Sequence, residues 1–145
     1  MSNIVDALVT AIFFAVFAFA AIISLFVFNS INSTGMFGSQ TATYTKFYEA
    51  INNVGIFIAL GMSLAAVVSA MLIRSHPVFF AIAIILVFVE FLVIPPIVNA
   101  YNSVVSGSFS TEAASLSNIV NIMQYLPIIT AVTTFLAAAV GIMRE

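Results

Sequence analysis

Few side chains in this sequence could do chemistry. The run LVFVEFLVIPPIVNAY (86–101) holds a single carboxyl, Glu90, with Val, Phe and Leu on both sides and Pro95 and Pro96 close behind. A carboxyl in such a setting can carry a proton, bind an ion, or make a hydrogen bond within packed protein. Ionisation in an apolar medium is costly, so without a cation it keeps its proton near neutral pH and can donate one hydrogen bond. Its neighbours three and four positions away are Leu86, Val87, Val93 and Ile94. These share its helix face and are all apolar, so a partner must come from another segment. Pro95 and Pro96 cannot donate to the carbonyls of Phe91 and Leu92, which leaves two acceptors about one turn from Glu90. Water, Asn99, Tyr101 or another chain is expected to satisfy them.

Other chemistries lack their parts. The sole histidine, His76, sits beside Arg74 in the stretch RSHP, far from most polar residues, so no Ser–His–Asp set is expected to converge. There is no HExxH pair and no glycine-rich phosphate loop. With no cysteine and one histidine, neither a disulfide nor a zinc or copper ligand set is available. Lys46, Arg74 and Arg144 are the only basic residues, too few to track a nucleic-acid backbone. The expectation is a non-enzymatic protein with no catalytic residues, no cofactor, no metal and no nucleic-acid partner.

The elements that must position Glu90 follow from the solvent. Of 145 residues, 63% are hydrophobic and 6% charged, against about 25% charged in a soluble domain. Lipid is the solvent that such a surface fits. A helix needs about 20 apolar residues to cross ~30 Å of hydrocarbon. Four stretches meet this: 4–28, 51–73, 77–98 and 119–143. Continuous rather than alternating apolar runs predict helices, not barrel strands. The N-terminal run has no Lys or Arg before it and is too long for a signal peptide, so it reads as a retained span. The fold class expected is an all-α bundle of four transmembrane helices, a single polytopic membrane domain over 1–145. RSHP is short enough to force an antiparallel hairpin of spans two and three. Four spans put both termini on one side, with polar loops 29–50 and 99–118 opposite. Arg74 and Arg144 then share the terminal side against Lys46, which favours cytoplasmic or interior termini.

Both loops should carry helical extensions. TATYTKFYEAINNV (41–54) starts with capping residues and spaces Tyr44, Phe47, Tyr48 and Ile51 as an interfacial aromatic belt. STEAASLSNIV (110–120) offers Ser110 or Thr111 as a cap, with Glu112 in the first turn where the helix dipole favours an anion. A helix from 111 to 143 would exceed the membrane, and Pro127 is expected to kink it.

Small residues let helix backbones approach closely in lipid. Span two offers Gly55, Ala59, Ser63, Ala66 and Ala70. Span one offers Ala7, Ala11, Ala15 and Ala18. Span four offers Thr130, Thr134 and Ala138, with Thr133, Ala137 and Gly141 beside them. These stripes fit packing within one bundle, or contact with other membrane subunits or a second copy. Counted from Pro77 at ~1.5 Å per residue, Glu90 lies about 20 Å along its helix. The same depth falls on Thr130 in span four and within a turn of Ser63 in span two, which makes those hydroxyls its expected partners.

One deep carboxylate in four spans resembles the duplicated proteolipid subunits of rotary ATPases. Those are dense in glycine and internally repeated, whereas this chain has six glycines and no repeat. Small multidrug transporters carry their carboxylate on the first helix, and holins usually end in a charged tail; this chain ends GIMRE. No family is assigned on these features. The leading expectation is a structural subunit of a larger assembly, such as a virion membrane or a multi-subunit membrane complex. A proton or ion channel or transporter component using Glu90 is the alternative, and a holin-like pore former the third.

Overall fold

A computed structural model describes residues 2–36, 38, 41–72 and 78–142. The turn with Arg74 and His76, then Pro77 and Arg144, lie outside the described residues, as do the loop positions 37, 39 and 40. The described chain is helical: α1 (Ser2–Asn32), α2 (Thr41–Leu72), α3 (Val78–Ser106), α4 (Ser110–Ser115) and α5 (Ser117–Ile142). All but α4 are long and apolar enough to cross a membrane, over Val5–Asn32, Ala42–Met71, Phe80–Ser106 and Ser117–Gly141. A helix satisfies its backbone within itself, which the hydrocarbon core requires. At 1.5 Å per residue each is about 38–45 Å long, so its ends reach past ~30 Å of hydrocarbon.

The four long helices are not equivalent. α1 and α5 touch along the centre, and α2 and α3 flank them, each packed on both. Among the described residues, α2 and α3 barely touch each other. Their spans are each 22% buried, against 44% for α1 and 39% for α5, so they form the periphery. The antiparallel hairpin expected from the RSHP link turns on residues outside the described ones; over the described residues both helices lean on α5. The reason lies in the faces that α5 presents. Thr134 and Ala138 pack towards α3, while Thr130 and Thr133 look towards α1 and α2. Small side chains on two adjacent faces let α5 take two neighbours at close range.

Ala7, Ala11, Ala15, Ala18 and Ala21 form the buried edge of α1, with Phe14 and Ile22 filling between them. Phe13 and Val16 point outward. In α2, Gly55, Ala59, Ala66 and Ala70 are buried and Ser63 half-buried; in α5, Ala137, Ala138 and Gly141 are buried. Gly55 sits against α5. A Cβ there would lie 2.7 Å from Cγ1 of Ile119, so a larger residue would have to displace that side chain.

Two helix ends differ from the sequence reading. The third helix does not stop near Val98 but continues past Pro95 and Pro96 to Ser106. Proline's fixed φ is helical; only two hydrogen bonds are lost, which a membrane helix tolerates. The helix expected from 111 onward is broken at Leu116, whose backbone (φ −112°, ψ 37°) ends α4. Leu116 is fully buried, so the break is pinned by packing. Pro127 lies inside α5.

Candidate functional site

Glu90 sits on the inward face of α3 with 1% of its surface exposed. Thr134 Oγ1 of α5 donates to Glu90 Oε1 at 2.6 Å. Thr134 is itself fully buried, so this bond joins two helices in the interior of the bundle. Glu90 Oε2 is buried and has no hydrogen-bond partner among the described residues. A protonated carboxyl would leave its O–H undonated there, and an ionised one would lack a cation. Either way one buried polar atom is unsatisfied among the described residues.

The sequence points to Thr130 and Ser63 as the partners, and the structure places both elsewhere. Thr130 donates to the Leu126 carbonyl of its own helix at 2.7 Å, and Thr133 likewise to Ile129 at 2.8 Å. Ser63 lines a cavity of about 10 Å³ with Thr10, Thr130 and Thr133, between α1, α2 and α5. That is room for about one water. Counting depth from helix ends finds the right level of α5 to about one turn. It cannot supply stagger, which selects Thr134, or the separation of α2 from α3, which puts Ser63 on a different interface.

Tyr101 lies about three turns beyond Glu90 on the same face of α3 and is fully buried. Its ring meets Phe19 edge-on at 5.2 Å. Its hydroxyl has no partner among the described residues, so it does not satisfy the carbonyls that the prolines leave open.

A second polar set ties the loop-side ends together. Asn52 Oδ1 of α2 accepts from the backbone N–H groups of Asn118 (3.0 Å) and Ile119 (3.3 Å). Asn118 Nδ2 donates to Asn53 Oδ1 at 3.2 Å. A side chain of another helix thus caps α5. The caps expected at Ser110 or Thr111 are absent: the N-cap of α4 is Phe109, with no side-chain bond. Asn29 Nδ2 of α1 donates to Glu112 Oε1 at 3.0 Å, and Glu112 is 7% exposed. Sequence reasoning placed Glu112 in a first turn, where it does lie, but missed its burial against α1. Tyr48 OH donates to the Ser24 carbonyl at 3.0 Å and pairs with the Ser24 hydroxyl.

Outside the core, an open cleft of about 530 Å³ runs between α3 and α5. Asn99, Asn102, Ser103 and Ser106 line it from α3 and Gln124 from α5. These are neutral donors and acceptors with no charge among them.

No protein family, curated protein or solved structure matches the chain.

Proposed function

We propose that the chain is a non-enzymatic structural subunit of a membrane-embedded assembly, a virion membrane or a multi-subunit complex. The cleft between α3 and α5 is the observation that carries this reading. Asn and Gln side chains exposed along membrane helices associate by hydrogen bonding to neighbours. Here Asn99, Asn102 and Gln124 line one open face near the loop-side ends of two spans. A neighbouring subunit with matching polar groups is the occupant such a face suits. The test is crosslinking in the native membrane, followed by sizing in mild detergent. The wild-type chain should run in a larger particle. A variant with Asn99→Leu, Asn102→Leu and Gln124→Leu should be released as a folded monomer. A wild-type chain dispersed as a monomer in its own membrane would sink the proposal.

A second reading rests on Oε2 of Glu90, buried and without a hydrogen-bond partner among the described residues, which suits a proton or ion site. Glu90→Gln keeps the shape and the bond from Thr134 but removes the titrating group. Proton or ion flux in proteoliposomes that falls in this variant would favour transport, and flux absent from the wild type would remove it.

In either case we place the termini on the cytoplasmic or interior side, from Arg74 and Arg144 against Lys46.

A further inference from the structure

We infer that a cavity between the loop-side ends of α1 and α2 binds the ammonium head of a zwitterionic phospholipid. It measures about 210 Å³ and is lined by Phe28 and Asn29 of α1, Thr45, Tyr48 and Glu49 of α2, and Ser115 of α4. One water needs ~10–15 Å³, so there is room for a head group. This site rests on neither the α3–α5 cleft nor Glu90.

Charge selects the sign of the ligand. Glu49 is exposed and pairs with no cation among the described residues. Asn29 donates one Nδ2 hydrogen to Glu112, which sets a second carboxyl behind it, and its side-chain oxygen makes no hydrogen bond among the described residues. No Lys, Arg or His lines the cavity. An anion would meet Glu49 unpaired, whereas a cation would be matched.

Aromatic rings select the kind of cation. Phe28 and Tyr48, both in the cavity lining, stand 5.5 Å apart, ring centre to ring centre. Tyr48 is held in place by Ser24. Rings beside a carboxylate are the environment that a substituted ammonium takes, since ring faces attract a weakly hydrated cation.

Depth points to lipid as the source. The span Val5–Asn32 is 28 residues, or about 42 Å, so its last turns stand at head-group level of a ~30 Å core. Val27 and Phe47 are exposed nearby and offer acyl chains an apolar surface.

The full chain should be reconstituted with equal amounts of phosphatidylcholine and phosphatidylglycerol, and the lipid retained after mild extraction counted by native mass spectrometry. Phosphatidylcholine should be retained roughly three- to tenfold over phosphatidylglycerol. Glu49→Gln should reduce that preference and Glu49→Lys abolish it, with helix content unchanged because Glu49 is exposed. Soluble tetramethylammonium chloride should displace the lipid at high concentration. Equal retention of both lipids, or a preference that survives Glu49→Lys, would overturn the inference. Tight tetramethylammonium binding without any selection among lipids would overturn the lipid assignment.

Discussion

Hydrogen bonds between membrane helices average about 0.6 kcal/mol and reach about 1.7 kcal/mol at most, because the separated helices also find partners. The Thr134–Glu90 bond joins two buried side chains at 2.6 Å and belongs near the upper end. Thr134→Val should therefore destabilise the bundle by about 1–1.5 kcal/mol. Thr130→Val should cost under about 0.5 kcal/mol, since that hydroxyl bonds only its own helix. Unfolding by SDS titration in mixed micelles would compare the two, and equal losses would contradict the assignment of Thr134. Replacing both partners by apolar groups is nearly neutral where removing one is not. Glu90→Met with Thr134→Val should accordingly recover most of the loss seen in Thr134→Val alone. Glu90 itself stands out in the sequence, as one carboxyl in an apolar run. Its partner does not, because three threonines within five positions of α5 are equivalent until α3 is docked.

Individual helices are held by contacts of quite different legibility. Gly55 belongs to a visible small-residue stripe, but only packing shows that it has no room for a side chain while Gly61 has. A Cβ at 55 meets Ile119 at 2.7 Å, while one at 61 meets nothing within 4 Å. Gly55→Ala should cost about 1–3 kcal/mol through overpacking, and Gly61→Ala should be neutral or stabilising. The same SDS titration separates them. At the start of α5, Asn52 satisfies two orphan N–H groups from across the interface. Loss of an N-cap costs about 1 kcal/mol. Asn52→Leu should lower stability by that amount and speed hydrogen exchange at Asn118 and Ile119, leaving the amides of mid-span α1 unchanged. A local capping rule looks along the chain and lights on Ser110 and Thr111. The true cap is more than sixty residues away in sequence, where no local rule can look. The break at Leu116 is hidden likewise, since nothing but its burial distinguishes it from other apolar residues of a helix.

At the scale of the whole molecule, a central α1–α5 pair carries two peripheral helices that hardly meet. Sidedness can be tested cleanly because the chain has no cysteine. Met36 is 78% exposed in the first loop, so Met36→Cys should react with a membrane-impermeant maleimide in intact cells if the termini face inward. Labelling only after permeabilisation would reverse the topology. Composition and run length by themselves determined the helical class and the four candidate spans, because hydrocarbon leaves a long apolar segment few ways to satisfy its backbone. They also marked Glu90 as the deep carboxyl, since any ionisable group is conspicuous in such a run. Tertiary structure alone decided that Thr134 is its partner, that α2 and α3 part around α5, and that Asn52 caps a distant helix. Those outcomes depend on the stagger and rotation of helices packed against one another. In a chain whose faces are nearly all apolar, no residue pattern records stagger or rotation; close packing of small side chains sets them.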